Sequence, residues 1–265
     1  MASKLTRADR AIVRLADGTV KQQNLLTGTE VWTVPGRGNR PLAAPRTDCT
    51  PIDHEADGHY CAFCSKRYLE TPPEKSRLVR RDDGTWEQLD ALPADKLGDT
   101  VAEFRRIPNL FEILPFNYWQ ANYGFELPER CRDRLENYLA DAAGYEHLRA
   151  IVSAKLRASG AGDAEIAELN LGDIRRHSAG FFGGSHDVLV ARRHWRDDAV
   201  DTTGLAGSAT LSVTEHRVWT QWAVNAMHAQ YLQNKHVKYV AVFQNWLRPA
   251  GASFDHLHKQ VVGVD

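Results

Sequence analysis

Apolar positions along the chain recur with two different periods, and the switches between them predict its elements. Residues 129–158 carry Leu135, Tyr138, Leu139, Leu148, Ile151 and Leu156 at spacings near three and four, with charges between them. That is the pattern of an amphipathic helix, broken in two near Gly144. A second helix is predicted over residues 213–234, with Ser212 at its cap, Glu215 three residues on, and a buried face of Val218, Trp222 and Ala226. It leads straight into KYVAVFQN, whose β-branched and aromatic residues predict a strand before a turn at Gly251. Near the N-terminus, AIVRL and EVWTV predict two short strands joined as a hairpin across NLLTGT, where Gly28 can take a positive φ. Between them and the helices the periodicity lapses. Residues 35–57, rich in Pro, Gly, Arg and Asp, predict a surface loop of the kind that carries binding groups. Residues 72–99, charged and Pro-bearing, are expected to form a mobile excursion with one short strand near Trp86 and no chemistry. There is no internal repeat and no low-complexity tract.

Composition narrows the class. With 265 residues, 43% of them hydrophobic, the chain can bury a substantial core. Lys and Arg (33) nearly balance Asp and Glu (34), so nothing calls for a nucleic acid partner. The N-terminal segment is charged throughout and offers no signal peptide or membrane span, which makes a cytoplasmic address the expectation. Four cysteines are too few for a disulfide scaffold, and of these Cys61 and Cys64 alone have suggestive spacing. As a bare pair they could bind metal or be redox-active thiols, although no βαβ pattern surrounds them.

The densest chemistry lies in SFDHLHKQ, residues 253–260. If this segment is extended, His256, His258 and Gln260 share one face and Leu257 and Lys259 the other. Three polar groups aimed at one place after a buried strand need a partner, and a phosphate or a metal would supply it. Imidazole is largely neutral, hence nucleophilic, near pH 7 and can split a phosphoryl displacement into two through a covalent phosphoramidate. A Gln amide can donate to a phosphoryl oxygen but cannot serve water as general acid or base, which favours transfer over hydrolysis.

This His-x-His-x-Gln segment resembles the signature of the transferase branch of the histidine-triad (HIT) superfamily, the galactose-1-phosphate uridylyltransferase-like family. Further likeness lies in Phe243, Gln244 and Asn245 (Phe-Glu-Asn in the family), in Gly251, Ala252 and Ser253 (Gly-x-Ser), and in NLLTGTEVWTVPGRGNRP, which puts Arg37 and Arg40 on the family's phosphate-facing arginines. As plain sequence features, these two arginines could equally be solvated loop charges. The resemblance implies an α+β HIT-like fold, an antiparallel sheet flanked by helices, with residues 1–265 as one domain equivalent to the N-terminal half of full-length members. Residues of about 117–180 would be a helical insertion without family counterpart, and a second half-domain would be missing.

The same resemblance implies a structural zinc held by Cys61, Cys64, His256 and a His at the end of a central strand, His194 in preference to His186, which stands in the family's Gly-x-His-Glu-Val segment. It implies His258 as nucleophile, Gln260 and Ser253 as catalytic hydrogen-bond donors, and Arg37, Arg40, Asn109 and Asn245 as substrate-binding residues. The activity it implies is nucleotidyl transfer between a nucleoside diphosphate sugar and a sugar 1-phosphate, of the hexose-1-phosphate uridylyltransferase type of galactose metabolism, in a homo-oligomer or with a second-half partner. Leu110, where the family has an acidic residue beside Asn109, weakens uridine specificity. The alternatives are an ADP-sugar or dinucleoside polyphosphate phosphorylase, and a zinc-stabilised subunit without catalysis.

Overall fold

The computed structural model describes residues 11–36, 49–245 and 252–265, and the chain has the α+β architecture expected of it, an antiparallel sheet flanked by helices. A small meander comes first: β1 (Ile12–Arg14), β2 (Val20–Gln23) and β3 (Glu30–Thr33), each antiparallel to the next. Gly28, at φ 73°, closes the turn between β2 and β3. The predicted hairpin of the first and last of these segments is therefore corrected: β2 lies between them. Its sequence, VKQQ, has no alternation to announce a strand.

Six strands build the main sheet: β4 (Ser76–Arg80), β5 (Trp86–Asp90), β6 (Phe104–Pro108), β7 (His186–Ala191), β8 (Tyr239–Phe243) and β9 (His258–Val264), in the order β5-β4-β6-β7-β9-β8. All neighbours are antiparallel. The reading of residues 72–99 as a mobile excursion is overturned, because they supply a hairpin, β4 and β5, joined to the centre of the sheet through β6. Charge concealed β4. Arg77 is fully buried, with Glu74 accepting two hydrogen bonds from its guanidinium at 2.7 and 2.8 Å and the Leu97 and Thr100 carbonyls taking others. Glu74 also pairs with Arg105 of β6, and both guanidiniums lie over the Tyr68 ring. Buried charge is tolerated here because each group is paired and hydrogen-bonded.

Between β6 and β7 run five helices: α1 (Phe116–Tyr123), α2 (Glu129–Ala140), α3 (Ala142–Ala158), α4 (Asp163–Ala167) and α5 (Leu171–Gly183). The predicted helix break falls at Asp141, whose side chain caps α3 by accepting from the Gly144 N–H. Helix α6 (Val213–Gln233) begins with a reciprocal bond between Ser212 and Glu215, as its sequence predicts. It covers one face of the main sheet. Trp219, fully buried, stacks on Phe104 at 5.5 Å, with Trp222, Leu189, Leu257 and Val261 around them. Val218 of the predicted face packs only at the edge of this core. The opposite face of β6 and β7 carries a smaller cluster, Phe63, Ile107, Val188 and Val190, and the predicted chemistry gathers there. No helix of the described residues is long and apolar enough to cross a membrane.

Candidate active site and metal centre

Three segments far apart in sequence meet at the Val190 end of β7. Strand β9 lies between β7 and β8, pairing His258 with Val190 and Gln260 with both Val188 and Phe243. The alternation expected of SFDHLHKQ holds through its central residues. Leu257 enters the α6 core and the Lys259 ammonium sits 4.2 Å above Trp219, whereas His256, His258 and Gln260 turn to the other face. A turn ending in the 3₁₀ segment Ser65–Glu70 brings Cys61 and Cys64 to that face, and the chain leaving β7 brings His194.

Cys61, Cys64, His194 and His256 form one cluster, their candidate ligand atoms all within 4.8 Å of one another. The two sulfurs stand 3.8 Å apart. His194 Nδ1 lies 3.5 and 3.4 Å from them and His256 Nδ1 lies 3.5 and 3.7 Å. For zinc bound tetrahedrally at about 2.3 Å to sulfur and about 2.0 Å to nitrogen, the edges are about 3.8 Å (S–S) and about 3.5 Å (S–N), so the set fits the ion. His256 Nε2 donates to the Ala191 carbonyl (2.6 Å), which leaves the Nδ1 lone pair facing the sulfurs. The Cys61 hydrogen bond and the two neighbouring imidazoles draw the Cys64 thiol far below its usual range, while the Cys64 thiolate and burial push Cys61 up. A thiolate between two imidazoles is a ligand set in waiting.

His258 lies two residues beyond, 6% exposed, with its ring 5.4 Å from Phe63 in an edge-on contact. Its Nδ1 is 2.6 Å from the His256 carbonyl oxygen, which can only accept, so Nδ1 carries the proton and the lone pair belongs to Nε2. Burial lowers the imidazole's pKa and favours its neutral, nucleophilic form. Gln260 Oε1 lies 3.0 Å from His186 Nε2, and His186 Nδ1 accepts from the Ile113 N–H at 2.9 Å. Asn109 Nδ2 is 3.0 Å from that same Nε2. His186 thus stands outside the metal cluster, on the Gln260 side of His258.

A family model described as a domain of unknown function, DUF4921, matches residues 15–265. The chain belongs to this family. No curated protein matches this DUF4921 chain. Among solved structures it is similar to an ADP-glucose phosphorylase from Arabidopsis thaliana with bound ADP-glucose, at 18% identity and a TM-score of 0.37. That match covers 92% of the DUF4921 chain and 48% of the other, so this chain spans about half the length of that structure.

The remaining predicted residues of the DUF4921 chain fall in three groups. Arg37 and Arg40 lie outside the described residues. Asn109 follows β6, and its Oδ1 accepts from the Phe111 N–H. Ser253 and Asn245, both partly exposed, lie in the segment joining β8 to β9, while Gln244 accepts from Ser208. Phe63 escaped sequence reasoning, and His186, weighed there only as a metal ligand, takes a different place. Phe63, inside the Cys-x-x-Cys turn, packs against Phe254 with the rings tilted at 4.3 Å and walls His258, and His186 reaches Gln260 from the neighbouring strand. The signal for His186 was its place at the head of an apolar strand. A cleft of about 1000 Å³ opens on the helix-covered face between α2 and α6, lined by Lys75, Arg106, Asp133, Arg134 and Asn225, and contains none of the predicted site residues.

Proposed function

We propose that this DUF4921 chain is a nucleotidyl transferase that works through a covalent nucleotidyl-histidine on His258. The observation that carries the reading is the His258 imidazole, neutral by burial, with Nδ1–H spent on the His256 carbonyl and Nε2 left with its lone pair, two residues along the chain from His256 of the Cys2His2 set and two from Gln260. The histidine-triad likeness of the His256 to Gln260 segment supports the same chemistry. The substrate in this reading is a nucleoside diphosphate sugar. Nε2 of His258 attacks the α-phosphorus, a P–N bond forms, and the bond from the α-phosphorus to the bridging oxygen breaks, so that a sugar 1-phosphate departs with the electron pair. In the second half-reaction a phosphate oxygen of the acceptor attacks the same phosphorus and the P–N bond breaks, returning the lone pair to Nε2.

Gln260 and Ser253 donate to the phosphoryl oxygens, Arg37 and Arg40 offset their charge, and Asn109 and Asn245 hold the nucleotide. Zinc bound by Cys61, Cys64, His194 and His256 would supply no reacting group; it would fix the backbone on which His258 stands. In this reading the chain is one HIT-like domain, equivalent to the first half of two-half transferases, with the helices of residues 117–180 as its insertion.

An adenylyl version of the activity is favoured by Leu110, which packs against the helical cluster and puts no carboxylate beside Asn109. One assay separates the readings. Zinc-loaded chain is incubated with UDP-glucose, ADP-glucose or diadenosine tetraphosphate labelled at the α-phosphorus. Acid-labile label is expected on the wild type and is expected to be absent from His258→Asn, and the nucleotide that labels fastest identifies the base. No label from any of the three would overturn the proposal.

A further inference from the structure

We propose that His186 is a positioning residue: it holds the Gln260 carboxamide with its oxygen turned inward, so that the NH2 group is the end presented to the phosphoryl oxygen. The inference rests on the nucleotidyl-transfer reading for its catalytic consequence, and on hydrogen-bond direction alone for its geometry.

A carboxamide is nearly symmetric in shape, and its two ends have opposite electrostatics. With the amide nitrogen forward, Gln260 donates to an oxygen that gains charge in the transition state. With the carbonyl forward, it sets a lone pair against that oxygen. Something must choose between the two, and the choice traces back to a backbone group. The Ile113 N–H can only donate, so His186 Nδ1, 2.9 Å away, accepts. A neutral imidazole that accepts at Nδ1 carries its proton on Nε2. The acceptor for that proton is Gln260 Oε1 at 3.0 Å. Asn109 does not compete for it. Its own Oδ1 is taken by the Phe111 N–H at 2.9 Å, so the end it turns toward His186 Nε2, 3.0 Å away, is itself a donor; with the proton on Nε2 these two donors face each other and Gln260 Oε1 is the acceptor that remains.

Burial makes the arrangement rigid. His186 is 1% exposed and stands at the first position of β7, the strand that pairs with β9 along its length. Ile113 and Phe111, which set the two orientations, belong to the same short loop after β6 that carries Asn109. One loop thus fixes both the residue proposed to hold the nucleotide and, through His186, the amide proposed to hold the phosphoryl group. A donor aimed in advance costs no reorganisation when charge develops, which is the basis of its catalytic value.

The test has one arm without substrate and one with it, both on the zinc-loaded full chain. In the first, the Gln260 side-chain Cδ and NH2 resonances, assigned by their loss in Gln260→Ala, are followed in wild type, His186→Phe and His186→Gln. Loss of the inward hydrogen bond in His186→Phe is expected to move Cδ upfield, and His186→Gln, whose Nε2 can stand in for the imidazole donor, restores it. In the second arm, His186→Phe lowers kcat by about ten- to a hundredfold with KM changed less than about threefold, His186→Gln recovers most of that loss, and the His186→Phe effect shrinks below about twofold in a Gln260→Ala background. Zinc content and melting temperature certify that each variant folds; should His186→Phe fail to fold, the smaller His186→Ala, which also removes the donor, is read in its place, with the same upfield move of Cδ and the same loss of kcat expected.

An unmoved Cδ resonance in folded His186→Phe overturns the proposal whatever the kinetics, and so does a full-size kinetic effect that persists in the Gln260→Ala background. If Cδ responds as expected while no chain, wild type included, transfers a nucleotide, the nucleotidyl-transfer reading fails and the hold of His186 on the amide stands.

Discussion

Glu112 is a carboxyl group in an apolar place. Its Oε2 accepts from the Phe116 N–H at the head of α1, while its Oε1 has no hydrogen bond among the described residues. Gly180 and Gly184 make room for it; a Cβ on Gly184 would come within 2.0 Å of Oε1. Burial pushes this carboxyl up to about 7, against attraction from Lys155 and Lys75. The folded chain therefore keeps a proton that the unfolded chain releases near pH 4.5, and stability falls as pH rises between those values. The integrated loss is on the order of 3 kcal/mol by pH 8. Urea melts at pH 5, 6, 7 and 8 should show this slope in wild type and a flatter one in Glu112→Gln; identical slopes would mean the carboxyl is ionised in the fold. Nothing in the sequence marks Glu112, since its environment comes from glycines about 70 residues further on. The same distance hid the contact of His186 with Gln260. His258 and Gln260 were legible because a period of two is a local property, written in five adjacent residues.

The elements show which conflicts packing can win. Gly144 sits in the first turn of α3, where alanine would be the better helix former by about 1 kcal/mol. Yet a Cβ there would lie 2.1 Å from the Tyr138 carbonyl oxygen of α2 and 3.0 Å from its ring. A backbone oxygen cannot swing aside as a side-chain tip can, so the α2–α3 corner must open. Gly144→Ala is expected to cost about 1–3 kcal/mol net, lowering the melting temperature by roughly 2–10 °C, and a variant as stable as wild type would disprove the close packing. Both helices at this corner and the capped α6 were readable, because periodicity and caps are local and amphipathic. Strands β2 and β4 were not. β2 is a polar strand paired on both sides, and β4 buries Arg77 by means of Glu74, which lies outside the strand and pairs with Arg105 as well. A sequence window reads buried arginine as surface.

At the scale of the whole molecule, the Cys2His2 cluster ties together three segments far apart in the chain. It joins residues 133 apart, Cys61 and His194, and residues 195 apart, Cys61 and His256, across the end of the main sheet. A metal cross-link between such distant points removes much of the freedom of the unfolded chain and adds its own binding free energy to folding. Without it, the cluster would hold a buried thiolate beside imidazoles and a second thiol, an arrangement whose hydrogen bonds are weak. The turn carrying Phe63 has another anchor, the Glu74, Arg77, Arg105 and Tyr68 network behind it, so loss of metal should loosen this end of the sheet without melting the α6 core. The purified chain is accordingly expected to carry about one zinc by elemental analysis, and chelation under reducing conditions to lower its melting temperature by more than about 10 °C. Cys64→Ser should abolish zinc binding, whereas His258→Asn should keep both metal and melting temperature, because His258 is not one of the four clustered residues and its Nδ1 is committed to the His256 carbonyl. Hydrogen exchange on the chelated chain localises the effect. Faster exchange confined to β7, β9 and residues 49–70 agrees with a tie at one end of the sheet. Uniform acceleration, with α6 included, would show instead that the metal holds the entire fold.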